Sequence, residues 1–138
     1  MDLKKLALAV VAAYIVLMGT EYVVHDIWLR HAYEALPDSW RPVDQMQAKM
    51  WIMWTGQFLF TMMFAYIYTR GQENKPWAAQ GIRYGILVTL LAVIPYTLGN
   101  YVVYRVPHSL AVHWMIAGAA QMLLLGLVVA FFCKKEAA

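Results

Sequence analysis

The sequence predicts an all-α membrane protein: a four-transmembrane-helix up-down bundle with both termini cytoplasmic and one longer outer loop between helices 1 and 2. Three observations predict it. First, Leu6–Thr20, Met50–Thr69, Tyr84–Tyr104 and Val106–Cys133 contain no Asp, Glu, Lys or Arg, and a helix needs about 20 mostly apolar residues to cross a bilayer. Second, helix breakers separate these stretches: Pro37 and Pro42, then Gly71 to Pro76, then Pro107. Third, Lys and Arg are unevenly shared between the two sides. Lys4, Lys5, Arg70, Lys75, Arg83, Lys134 and Lys135 fall on one side, and Arg30, Arg41, Lys49 and Arg105 on the other. The positive-inside rule places the richer side, with both termini, in the cytoplasm. In a bacterium this is an inner-membrane protein whose loop faces the periplasm.

The first helix is expected over residues 3–33, outrunning the hydrocarbon before Pro37 and Pro42 end it. Lys4 and Lys5 ahead of an apolar run resemble a signal peptide. The run passes straight into Glu21-Tyr22-Val23-Val24-His25 without a small-x-small cleavage site, so a retained helix is expected. Residues 34–48 form the long loop, with a short surface helix from Val43. The second span is expected at 49–68, the third at 81–104 and the fourth at 110–132, stopped by Lys134 and Lys135. Trp28, Trp51, Trp54 and Trp114 fall near the outer boundary, where indoles favour the interface. Pro95 predicts a kink in span three. Gly81-x-x-x-Gly85, with Gly118, Ala119, Ala120 and Gly126 in span four, predicts close helix approach.

Hydrophobic residues make up 62% of the chain, charged residues 14%, and mean hydropathy is +0.53. That leaves one integral membrane domain over residues 1–138 and no soluble catalytic module. The net charge of +3 resides at span ends, where it meets lipid headgroups rather than nucleic acid. Cys133 is the single cysteine, which excludes a disulfide within the chain and a thiolate cluster. No phosphate-binding loop, nucleophile elbow, zinc-protease motif or redox dithiol is present.

An ionisable residue inside the membrane is costly and marks a site by default. Glu21 and His25 are four apart and share a helix face. Asp26 is expected to pair with Arg30 at the same spacing. Glu21 lies about 24 Å from the level of Lys5 at 1.5 Å per residue, in the outer third of the membrane. Asn100 lies at nearly the same level, and Gln57 enters from the other end of span two. Tyr96, Asn100 and Tyr104 form one stripe; His113, Ala117 and Gln121 form another. Glu21, His25, Gln57, Tyr96, Asn100, His113 and Gln121 are therefore the candidate ligand-binding residues of an outward-facing polar pocket. The alternative reading is that they serve only as interhelical packing contacts.

Two cofactor readings follow from the histidines. His25, His31, His108 and His113 fall on the outer side, beside a Met46, Met50 and Met53 stripe. His25, His113, Met50 and Met53 would suit copper, and Glu21 would admit zinc. A haem between His25 and His113 is the other. Met18-Gly19 before Glu21–His25 and Leu98-Gly99 before Asn100–Tyr104 suggest an internal repeat of two hairpins. A glutamate in the first of four short spans is similar to the arrangement in small multidrug-resistance exporters. The longer outer loop and the outer position of Glu21 depart from that pattern, and no site residue follows from the comparison.

Three functions are consistent with these residues. The first is a non-enzymatic accessory subunit or homo-oligomer, with the bilayer and a larger membrane complex as partners. The second is a binding protein or proton-linked transporter for a small amphiphilic ligand, amine or metal, using Glu21 and His25. The third is a membrane enzyme acting on a lipid or quinone, with the same pair as acid and base.

Overall fold

The computed structural model describes residues 2–134; Lys135, expected to help stop the last span, lies outside the described residues. The described chain is helical, with no strand. Four helical stretches are long and apolar enough to cross a membrane: Leu3–Trp28, Met50–Arg70, Trp77–Val103 and His108–Cys133. At 1.5 Å per residue the shortest, of 21 residues, is about 32 Å long, enough for a hydrocarbon core of about 30 Å.

Helix α1 (Leu3–Glu21) begins at Asp2, whose side chain accepts from the backbone N–H groups of Lys4 and Lys5, an N-cap that satisfies otherwise orphaned donors. The span then changes geometry. Tyr22–Trp28 forms seven residues of π-helix, closed by a bond from the Leu29 N–H to the Val24 carbonyl, 2.8 Å long. Leu29 leaves helical geometry (φ −95°, ψ 2°) and α2 (Arg30–Glu34) follows as a separate turn. The single helix expected over 3–33 is thus three pieces.

Pro37–Ser39 is a 3₁₀ turn and α3 (Val43–Gln47) starts directly after Pro42, as proline favours at a helix start. Helix α4 (Met50–Arg70) matches the expected second span within two residues. Helix α5 (Trp77–Val88) begins four residues earlier than expected, straight after Pro76. A π segment, Thr89–Val93, joins it to α6 (Ile94–Val103). Pro95 lacks an N–H, and its ring clashes with the preceding turn; the wider π turns immediately before it give that ring room. Helix α7 (His108–Cys133) starts after Pro107.

Helix α7 is the most enclosed span, with 44% of its most apolar window buried against 6% for the third span. One core joins Ala9, Ala13 and Leu17 of α1, Phe64, Ala65 and Tyr68 of α4, and Met122, Leu125 and Val129 of α7. Helices α5 and α7 meet through glycine. A Cβ placed on Gly81 would stand 2.6 Å from the Gly126 carbonyl oxygen, and one on Gly85 2.6 Å from that of Met122. The Gly81-x-x-x-Gly85 pattern is a contact surface here, as close approach in lipid requires.

A second cluster caps the other end of the molecule. Leu29, Val106 and Leu110 pack with Tyr33, Leu36, Trp40 and Trp114. The Trp40 indole N–H donates to the Tyr33 carbonyl, and the Ser39 hydroxyl to that of Arg105. The long loop is therefore tied down over the start of α7.

Candidate functional site

Six side chains, from the first and last spans and the loop that follows the first, form one continuous polar chain. The Gln121 amide nitrogen, on buried α7, donates to Thr20 Oγ1 at 3.0 Å and to Glu21 Oε1 at 2.9 Å. Glu21 Oε2 faces His25 Nε2 at 3.4 Å. His25 Nδ1 meets the Tyr33 hydroxyl at 2.5 Å, and the two rings stack with centroids 5.7 Å apart. The Trp114 indole N–H donates to that same hydroxyl at 2.8 Å.

Donor chemistry fixes one of these directions. An indole N–H only donates, so the Tyr33 oxygen accepts from Trp114, while the direction of its bond with His25 Nδ1 follows the His25 tautomer. With its proton on Nε2, a neutral His25 points an N–H at Glu21 and accepts from Tyr33. Burial pushes the Tyr33 phenol above its usual pKa, which keeps it a hydroxyl. The Glu21 side chain is 24% exposed and that of His25 40%, so the chain lies along a partly open seam.

Beside it a groove of about 300 Å³ is lined by Trp28, Leu29, Leu36, Ser109, Leu110 and His113, among others. The His113 ring sits edge-on to Trp28, centroids 5.2 Å apart. Ser109 and His113 are four apart on α7 and so lie on one helix face.

The structure brings together Glu21, His25 and Gln121 among the residues chosen from sequence, and sets His113 in the adjoining groove. Gln57, Asn100 and Tyr96 make no side-chain hydrogen bond to this polar chain among the described residues. The Gln57 Oε1 atom is buried without a hydrogen-bond partner among the described residues. Asn100 is half-buried, and Tyr96 is 72% exposed. Met50 is half-buried on the first turn of α4, and Met53 is exposed.

Thr20, Tyr33 and Trp114 are the members of the chain that sequence reasoning missed. Glu21, His25, Leu29 and Tyr33 recur every fourth residue, the same stripe that singled out Tyr96, Asn100 and Tyr104. Following it past the end of the span would have reached Tyr33. Arg30 is a correction. Its guanidinium bonds Glu34 at 2.9 Å rather than pairing with Asp26, because the π turns and the break at Leu29 rotate it out of α-helical register. Glu34 also takes His31 at 3.3 Å, and its carboxyl is held below the usual range chiefly by the Arg30 hydrogen bond.

No group of three or more His, Cys, Asp or Glu side chains stands ready to hold a metal among the described residues. Both ring nitrogens of His25 are engaged, by Glu21 and Tyr33, so copper, zinc or a haem iron would have to displace one of them. The look-alike segments also differ: Tyr22–Trp28 is π-helix, whereas Asn100–Val103 is ordinary α-helix. Compared with known protein families, curated proteins and solved structures, the chain matches none.

Proposed function

We propose that this chain is a small non-enzymatic integral membrane protein acting as an accessory subunit or homo-oligomer. Its outer polar network fixes how the first and last spans pack in an up-down bundle. The observation that carries this reading is the fork at Gln121. One buried amide holds the Thr20 hydroxyl and the Glu21 carboxylate of another span, and every polar atom onward to Trp114 has a partner. Saturated networks of this kind hold helices together.

Lateral assembly is supported by the third span. Tyr96 lies about 10 Å below the end of α6 at 1.5 Å per residue and is 72% exposed, so its hydroxyl needs a partner where lipid offers none. The excess of Lys and Arg on one side supports cytoplasmic termini. Gentle solubilisation followed by native mass spectrometry tests the assembly. A stable complex of two or more chains, or a constant partner, is expected; a stable lone monomer refutes it. Reporter fusions at both termini test the sidedness.

The groove beside the network favours a second reading, in which a small amphiphile inserts its apolar part between Trp28 and Leu110 and its polar group meets His113 and Ser109. Protonation at Glu21 and His25 would then be linked to occupancy. Under this reading Glu21→Gln abolishes pH-dependent binding or transport; unchanged behaviour refutes it.

A further inference from the structure

We propose that one side of α6, centred on Tyr96 and Asn100, is the contact surface for a second copy of this chain. The inference rests on the assembly reading above and names its partner and its surface.

Tyr96, Gly99, Asn100 and Val103 fall at i, i+3, i+4 and i+7 and so share one side of α6. The residue that α6 buries is Thr97, about 100° round the helix from Tyr96. The shared side turns away from that contact. Tyr96 is 72% exposed and Val103 75%; Gly99 is exposed and Asn100 half-buried at the edge.

Two polar groups on this side stand apart from others in the spans. The hydroxyls of Thr61, Tyr84 and Thr89 each reach a backbone carbonyl at 2.8 Å. The Tyr96 hydroxyl and the Asn100 carboxamide make no hydrogen bond among the described residues. Helical side chains slant toward the helix N-terminus. Tyr96 stands seven residues before Val103, the last residue of α6, so its ring leans toward the middle of the span and away from the nearer headgroups. Lipid tails offer a phenol no hydrogen bond there.

A second copy supplies what is missing. Copies inserted in one orientation pair about a two-fold axis along the membrane normal, so residues near that axis meet their own counterparts at equal depth. A hydroxyl and a carboxamide each donate and accept, so each can be satisfied by its own copy. No Asp, Glu, Lys or Arg lies between Tyr84 and Tyr104, so the paired surfaces bring no like charges together. Gly99 lets the two backbones approach, as small residues do in lipid. No atom of this chain fills that space, since nothing stands within 4 Å of a Cβ placed there.

The full-length protein, labelled at its N-terminus and diluted with lipid in vesicles, tests this by energy transfer. A dimer is expected. Its dissociation constant should rise about threefold in Tyr96→Phe and at least about tenfold in Gly99→Leu. Gly56→Leu on α4 is the control: its Cβ also meets nothing within 4 Å, and it should dimerise as the wild type does. In a Cys133→Ser background, oxidation should cross-link Val103→Cys and not Ile52→Cys, which is 52% exposed near the start of α4. Size-exclusion profiles report folding, and the cross-links decide the matter if Gly99→Leu fails to fold. Cross-linking through Ile52→Cys instead, a dimer weakened by Gly56→Leu and not by Gly99→Leu, or a Tyr96→Phe dimer as tight as wild type overturns this surface and leaves the homo-oligomer standing. A constant foreign partner bound to one copy of the chain overturns it and leaves the accessory subunit. A lone monomer at every dilution removes both.

Discussion

Replacing Gln121 with Leu keeps most of the side-chain volume and removes both bonds made by its amide nitrogen. Glu21 Oε1 loses the donor 2.9 Å away, while Oε2 keeps His25. Thr20 loses less, since its hydroxyl still donates to the Val16 and Leu17 carbonyls, each at 2.9 Å. Interhelical hydrogen bonds in membranes average about 0.6 kcal/mol and reach about 1.7, and those to charged groups lie at the upper end. Leucine recovers little, because lipid tails are as apolar as the helices and supply no hydrophobic drive between them. The expected net loss is about 2 kcal/mol. Reversible unfolding in mixed micelles, titrated with a denaturing detergent, measures it. Thr20→Val should cost under about 0.6 kcal/mol. A cycle combining Gln121→Leu with Glu21→Leu should show coupling of about 1 kcal/mol, since the two partners share one bond. A Gln121→Leu protein within about 0.3 kcal/mol of wild type, or a strictly additive cycle, would refute the idea that this fork holds the spans together.

Gly85→Leu should prevent α5 from seating on α7, because its Cβ alone would lie 2.6 Å from the Met122 carbonyl. Poor recovery of folded protein on size-exclusion chromatography checks it. Tyr33→Phe removes the hydroxyl that receives the Trp114 N–H and meets His25 Nδ1. It should cost about 1 kcal/mol and shift tryptophan emission. Glu73 has its pKa lowered to about 2, first by its hydrogen bond from Arg83 and then by that from Lys75. A carboxyl lower in the folded state stabilises above its unfolded value near 4.5 and loses that contribution as pH falls toward 2. Glu73→Gln should flatten the difference in unfolding midpoint across that acid window.

The four spans were legible because a missing charge is a strong signal in lipid: Val106–Cys133 has no other home than an apolar one. The α5–α7 contact was legible for a related reason, since Gly81, Gly85 and Gly126 leave room that only a neighbouring backbone fills. The π turns at Tyr22–Trp28 were not legible. They differ from α turns by one hydrogen-bond step, and no residue type in Tyr-Val-Val-His-Asp-Ile-Trp demands them. That gap explains the Arg30 correction, where α-helical spacing pointed at Asp26 and the backbone turned toward Glu34. Tyr33 was overlooked because it stands beyond the apolar run, although the loop folds it back over the span. Trp114 was read from its depth alone, which marks an interface indole and says nothing of its partner.

The π segment and the hydrogen-bonded chain belong to one argument. π turns are rare and cluster at functional sites; here the widened turns begin immediately after Glu21 and contain His25. They also end at Leu29, whose burial against Val106 and Leu110 anchors the loop that carries Tyr33. The same distortion therefore sets both ends of the Glu21–His25–Tyr33 chain. A ligand in the groove at Trp28 and His113 would press on the last π residue. If occupancy relaxes those turns toward α geometry, His25 rotates relative to Glu21 and Tyr33, and its contacts with the two cannot both persist. Nuclear magnetic resonance of the His25 ring separates the two readings. Ring-nitrogen shifts indifferent to added amphiphile leave the chain a packing device, whereas a tautomer change makes it the reporter of the groove.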